Sequence, residues 1–166
     1  DIGDWAFSNC TSLETVTIPT SVTHIKSNAF YGCTSLKSVT IPESVNYIGE
    51  DAFGYYNNYD LDMKMKVDGF KINYVKNTYG HYYAAKNGFT DETYLATNEL
   101  YDGTLEITKY AGNSATYVIP DEIDGKKVTR IDDDAFYGCT ELTSVTIPDG
   151  VTYIGGRAFH ACTSLE

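Results

Sequence analysis

The residues able to do chemistry are few and scattered. Histidine occurs three times, at His24, His81 and His160, each distant from the others in sequence. No ordering of serine, histidine and aspartate, and no paired-carboxylate spacing, singles out a nucleophile or an acid–base couple. No catalytic residue is assigned, and the chain is expected not to be an enzyme. The run Asp132-Asp133-Asp134 supplies oxygen ligands of the kind calcium takes. However, consecutive residues point in different directions, and the glycine and bidentate glutamate of a calcium loop are missing. The run is therefore read as a solvated turn with aspartates at a helix start. Four cysteines, Cys10, Cys33, Cys139 and Cys162, lack the CxxC or HxxxH company of a metal site. Neither a metal nor a cofactor is expected. The triplet Asn9-Cys10-Thr11 fits a glycosylation acceptor, with a core cysteine in its middle.

The cysteines do share one property: each stands three residues after a phenylalanine and three before a leucine. That spacing belongs to a longer pattern. Ile2, Ala6, Phe7, Cys10, Leu13, Val16, Ile18, Pro19, Val22 and Ile25 recur 23 residues later as Ile25, Ala29, Phe30, Cys33, Leu36, Val39, Ile41, Pro42, Val45 and Ile48. The frame returns from Ile131 through Ala135, Phe136, Cys139, Leu142, Val145, Ile147, Pro148 and Val151 to Ile154, Ala158, Phe159, Cys162 and Leu165. A fixed period of this length means stacked coils, each too small to bury its own apolar face, so that the core exists only between neighbours. Phe7, Phe30, Phe53, Phe136 and Phe159 are the expected pillars of that core. The four cysteines should be buried free thiols in a tight corner, side by side rather than facing one another.

Within a repeat, Val16 and Ile18 alternate with Thr17, the period of a half-buried strand over residues 13–18. All four prolines follow an isoleucine, at Pro19, Pro42, Pro120 and Pro148, where strand pairing must stop. A second extended piece runs to the closing isoleucine, and the stretch around Ala29 and Phe30 suggests a helical turn. Two sets of side chains should reach solvent. Thr15, Thr17, Ser38, Thr40, Ser144 and Thr146 point outward from the strands. They form either a broad polar recognition face or simply a solvated sheet. His24, Tyr47 and Tyr153 occupy the position before the last isoleucine, as interface anchors or as a ladder of rings packed on their neighbours.

Between the two arrays the frame breaks, and residues 55–117 hold eleven of the fifteen tyrosines. Residues 64–75 alternate like a strand pair turning at Asp68-Gly69. Thr78 is placed to cap a short helix through Tyr82 and Tyr83 that ends at Asn87-Gly88. Residues 90–100 read as a linker. Gly112-Asn113 and Asp124-Gly125 read as the turns of two hairpins. The expected division is an array at 1–54, a capping segment and linker at 55–100, hairpins at 101–130 and a second array at 131–166. The chain begins and ends inside a repeat, as a piece of a longer array would.

The pattern I-x-x-x-A-F-x-x-C-x-x-L-x-x-V-x-I-P, met in full by residues 25–42, resembles that of the BspA-like leucine-rich repeat family. The resemblance covers residues 1–54 and 131–166. Residues 67–89 look like the unit that closes such arrays, and residues 102–128 like the unit that opens one. It implies a mainly β solenoid, a right-handed leucine-rich-repeat-like superhelix with short strands and short helical turns, interrupted by a cap with one short helix. It also implies an extracellular or cell-surface protein that works in adhesion or protein binding. The expected partner is a protein on a host or neighbouring cell. A glycan met by exposed tyrosines (Tyr55, Tyr56, Tyr59, Tyr82 and Tyr83) is the alternative, and a spacer role a third. The net charge of −11 repels phosphate, so nucleic acid is not an expected partner. No apolar run has the roughly 18–20 residues of a membrane span, so direct membrane insertion is not expected.

Overall fold

The structure, a computed structural model, describes residues 1–166. The chain divides into two compact units, Asp1–Ala84 and Ala85–Glu166. Each is built by stacking coils rather than by packing long elements.

In the first unit, β1 (His24–Ile25), β2 (Ser38–Thr40) and β3 (Tyr47–Ile48) are short because each supplies only one side of a coil. β1 pairs in parallel with β3, and Ile2 bridges Ile25. The isoleucines that open and close the repeat thus lie in one row. Around the phenylalanines the expected helical turn is replaced by consecutive hydrogen-bonded turns. Ala29, Tyr31 and Cys33 donate their N–H groups to Lys26, Asn28 and Phe30 within the coil. The alternate N–H groups, of Asn28, Phe30 and Gly32, donate to Glu50, Ala52 and Tyr55 of the next coil. The residue two before each phenylalanine is left-handed: Trp5, Asn28, Asp51, Asp134 and Arg157 all have φ between 51 and 59°. A right-handed helix cannot pass through such a residue, which costs an L-amino acid roughly 1–2 kcal/mol.

The alternation frees the phenylalanine rings to stack. Phe7 lies on Phe30 with centroids 4.9 Å apart and planes 5° apart, and Phe30 on Phe53 at 4.7 Å and 9°. Phe30 and Phe53 are fully buried, whereas Phe7 is 42% exposed because its coil has a neighbour on one side only. The same end effect overturns the expected burial of Cys10, which is exposed. It also bears on residues 13–18, which form no strand. Their alternation sets exposure, with Ile18 buried and Thr15 and Thr17 in solvent, but no inter-coil ladder forms there.

Past the last phenylalanine of this unit the chain leaves the repeat. β4 (Tyr55–Asn58) and β5 (Met63–Lys66) form an antiparallel hairpin, and β6 (Lys71–Asn73) lies parallel to β2 with Ile72 opposite Val39. The expected pairing across Asp68-Gly69 is therefore not made. That turn is the corner by which β6 takes the place of the next coil's strand. The helix α1 (Tyr79–Lys86) is where expected. Its Tyr83 hydroxyl accepts the Phe53 N–H at 3.1 Å and lies 3.4 Å from the Phe53 carbonyl, closing the ring column. Thr78 precedes the helix, but its hydroxyl donates backwards to Val75 O at 2.6 Å. The N-terminal bond comes instead from Asn77 N–H to His81 Nδ1, at 3.3 Å.

In the second unit, residues 90–100 are not a linker. They contain β7 (Tyr94–Glu99), which forms a hairpin with β8 (Leu105–Ala111). Nor does Gly112-Asn113 turn a hairpin. Tyr110 donates its N–H to Ala135 O, the bond that Phe7, Phe30 and Phe136 make to the alanine of the next coil, so the chain is already winding a coil there. β9 (Thr116–Val118) accordingly continues away from β8. The expected hairpin at Asp124-Gly125 is present, joining β10 (Glu122–Ile123) to β11 (Lys126–Ile131). β11 lies in parallel between β8 and β13 (Tyr153–Ile154), while β12 (Ser144–Thr146) pairs in parallel with β9. Tyr110 opens this unit's ring column on Phe136 at 4.7 Å, and Phe136 stacks on Phe159 at 4.9 Å. Phe136 is fully buried, and Phe159, in the last coil, only half-buried.

Candidate functional site

The repeat positions of the inner coils face inward, as Ile25, Phe30, Leu36, Val39 and Ile41 do, so a site is sought at the positions between them. One of these is the column before the closing isoleucine, where the column and both its neighbours along the chain are pinned by inter-coil bonds. Ile2 N–H donates to His24 O, Asn46 N–H to Thr23 O and Gly49 N–H to Ile25 O. The ladder places His24 opposite Tyr47, with ring centroids 5.9 Å apart. Asp1 Oδ1 stands 3.5 Å from His24 Nδ1, and Tyr79 of α1 adds a ring 6.2 Å beyond Tyr47. The first unit thus carries Asp1, His24, Tyr47 and Tyr79 in one line.

The second unit presents an analogous order made of different residues. Glu106, Arg130 and Tyr153 are neighbours in register across β8, β11 and β13. Arg130 Nε donates to Glu106 Oε1 at 2.9 Å, and its guanidinium carbon lies 3.9 Å from the Tyr153 ring centroid. The hydrogen bond to Glu106 raises the Arg130 pKa further, so the cation is permanent. In both lines an acid precedes a cationic or cation-forming side chain, which precedes a tyrosine. Tyr47 is 42% exposed and Tyr153 41%. Sequence reasoning picked out His24, Tyr47 and Tyr153 but missed Asp1, Tyr79, Glu106 and Arg130. Asp1 and Arg130 could have been found by reading the residue before Ile2 and Ile131.

The six hydroxyl residues all face solvent. Ser38 and Thr40 stand on β2 beside Lys71 and Asn73, and Asn73 Nδ2 reaches Thr40 Oγ1 at 3.5 Å. Ser144 and Thr146 stand beside Thr116 and the exposed Val118. Thr15 and Thr17 belong to no sheet, so the hydroxyls do not make one continuous face.

The remaining candidates have structural roles. Asp133 Oδ1 accepts the Gly156 N–H at 2.6 Å, as Asp4 Oδ1 accepts the Ser27 N–H at 3.1 Å, and Asp134 pairs with Arg157 at 2.7 Å. The aspartate run ties one coil to the next. No group of three or more histidine, cysteine, aspartate and glutamate side chains is placed to hold a metal ion. His81 is buried and stacks on Tyr74 at 4.7 Å, and His160 stacks on Tyr137 at 5.7 Å. All four cysteines are free; Cys33 is buried and Cys139 half-buried. The Cys33 and Cys162 thiols each donate to the carbonyl of the preceding coil's phenylalanine, Phe7 and Phe136, at 3.1 Å. Burial raises the Cys33 pKa and pushes that of Cys139 to about 12, so neither is a ready thiolate. Of the five tyrosines offered for sugar stacking, Tyr55, Tyr82 and Tyr83 are buried, so they do not line up as exposed rings.

The sequence matches six copies of the BspA type leucine rich repeat region, over residues 1–90 and 110–166. The chain belongs to that family. The BspA-type match takes in the segment at 67–89 read as a closing unit and most of the segment at 102–128 read as an opening one. A leucine rich repeat protein of T. pallidum is 38% identical over 43% of this chain and 34% of its own, with a TM-score of 0.42. A leucine rich cell surface protein from Faecalibacterium prausnitzii is 24% identical over 97% of this chain and 42% of its own, with a TM-score of 0.39. A leucine-rich repeat protein from Bacteroides ovatus is 22% identical over 98% of this chain and 44% of its own, also at 0.39. The BspA-type chain therefore spans less than half the length of each. No curated protein matches it in sequence. No helix is long and apolar enough to cross a membrane.

Proposed function

We propose that this chain is a non-catalytic recognition module exposed outside the cell, which binds a protein on a host or neighbouring cell and serves adhesion. The observation that carries this reading is the pair of columns. Tyr47 and Tyr153 are half-exposed rings held by backbone ladders, each beside a cationic or cation-forming side chain. Tyrosine and arginine are the residues most often dominant in protein interfaces. Rings already fixed in place lose little freedom on binding, which favours affinity. The cell-surface description of the Faecalibacterium prausnitzii protein accords with the location.

The test places a photoreactive aromatic amino acid at position 47 or 153 and, as a control, at the exposed Ser114. Irradiation on intact host and bacterial cells is expected to give discrete protein adducts from 47 and 153 that position 114 does not give. Adducts no different from the control at both column positions overturn the reading.

A further inference from the structure

The hairpin of β4 and β5 lies outside the repeat frame and has two unlike faces. Antiparallel register puts Tyr55 opposite Lys66 and Asn57 opposite Lys64 on one face. Tyr55 anchors that face to the body of the first unit, while Asn57, Lys64 and Lys66 stay exposed. Tyr55 is buried, Asn57 Oδ1 accepts the Tyr31 hydroxyl at 2.6 Å, and Lys64 is held by Asp51 at 2.8 Å. The register places Tyr56 opposite Met65 and Asn58 opposite Met63 on the other face. On this face Tyr56, Asn58 and Met65 are half-buried and Met63 is 51% exposed, and at the tip Leu61 is 60% exposed and Tyr59 83%. Met63 and Met65 are the two methionines of the chain. Methionine is flexible and polarisable, and is over-used on surfaces that adapt to a partner.

Charge indicates what would cover the face. Asp60 and Asp62 flank Leu61 at the tip, and neither takes part in an ion pair, while the hairpin's lysines lie on the opposite face. Any occupant that buried Leu61 and Met63 would bring its own rim against these two carboxylates, and a cationic rim would meet them favourably. We propose that the tip of this hairpin, through Tyr59, Leu61 and Met63, docks on an apolar protein surface rimmed by lysine or arginine. The inference rests on the reading of the chain as a recognition module, but uses a surface separate from the two columns.

The test exploits the two methionines. With ¹³C-methyl methionine in the whole chain, the two methyl signals both report this hairpin. The probe is an amphipathic helical peptide of leucine and lysine, titrated alongside its leucine and glutamate counterpart. The lysine peptide is expected to shift both methyl signals saturably, and the glutamate peptide to bind at least about tenfold more weakly. Asp60→Asn with Asp62→Asn should weaken the lysine peptide about three- to tenfold, as two exposed charge contacts do. Glu141→Gln with Asp149→Asn removes the same charge elsewhere and should leave affinity within about twofold. Leu61→Ser should also weaken binding. Methyl signals that stay still, equal binding of the two peptides, or equal loss in the charge control would each overturn the inference. Since the probe reads only the hairpin, such a failure leaves the column cross-links as an independent test of the recognition module.

Discussion

Phe7 and Phe30 occupy the same position of the same repeat, yet removing their rings should have unequal effects. Phe30 is 1% exposed and stacked on both faces, by Phe7 at 4.9 Å and Phe53 at 4.7 Å. Truncating a ring so enclosed typically costs about 3–5 kcal/mol. Phe30→Ala is placed near the upper part of that range because two ring contacts, each of about 0.5–1.5 kcal/mol, go with it. Phe7 is 42% exposed and stacked on one face only. It keeps about three-fifths of the burial and half of the stacking, so Phe7→Ala should cost about 2 kcal/mol. The two variants should therefore differ by about 2 kcal/mol, or ~1–2 M in urea midpoint for a unit of this size. Trp5 is the single tryptophan and lies 5.9 Å from Tyr31 in the first unit, so its fluorescence follows that unit's unfolding. Phe53→Ala, fully buried, should behave like Phe30→Ala, and Phe30→Leu against Phe7→Leu should keep the order at smaller cost. Equal losses at positions 7 and 30, with unchanged urea slope, would refute the shared-core reasoning.

Three further outcomes can be checked. Tyr83→Phe removes the hydroxyl that meets the buried Phe53 N–H and carbonyl, and should cost the first unit about 1–3 kcal/mol in urea unfolding. Burial pushes the Tyr55 pKa to about 12 and holds Tyr83 well above the usual phenol range, so the folded unit keeps protons that the unfolded chain releases near pH 10. Stability is thus complete below about pH 10 and should fall above it by about 1.4 kcal/mol per pH unit for each tyrosine; a urea midpoint unchanged between pH 9 and 11 contradicts this. Gly138, with φ 71° and open space around it, should lose only about 1–2 kcal/mol as Gly138→Ala, whereas Gly32→Ala should lose more, since its β-carbon would run into the Asn9 side chain.

What the sequence disclosed was the set of positions that face inward, because burial between coils forces the same residue types to return every 23 residues. Ile25, Phe30, Leu36 and Ile41 are buried as the period requires. Backbone pairing was less legible, since alternation specifies faces and says nothing of which strand lies alongside. Residues 64–75 and the turn at Gly112-Asn113 have local hairpin signals, yet β6 and β9 pair with strands of neighbouring coils. The left-handed positions were readable in principle. Asn9, Asn28, Asp51, Asp134, Gly32 and Gly138 are residue types that tolerate positive φ, but Trp5, Arg157 and Ala161 at equivalent places mask the rule. The columns were half-visible for a similar reason. They lie between the repeating residues, and only the register shows that Arg130 meets Tyr153 as His24 meets Tyr47.

The columns and the hairpin tip should also differ in how they act on binding. A ring such as Tyr153, fixed by its ladder and by Arg130 at 3.9 Å, contributes contacts that exist only once a partner is seated. Tyr153→Ala should therefore act on dissociation, where most differences between related complexes arise. Asp60 and Asp62 stand at an exposed tip without ion pairs, and their field extends about 8–10 Å at physiological salt, before contact is made. Their neutralisation should slow association and flatten its dependence on salt, with dissociation little changed. Surface-binding kinetics at two ionic strengths, with a partner captured through position 153 for the columns and the leucine and lysine peptide for the tip, separates the two effects. A Tyr153→Ala variant that slows association, or an Asp60→Asn with Asp62→Asn variant that only hastens dissociation, would reverse the assignment of rigid contact to the columns and of steering to the tip.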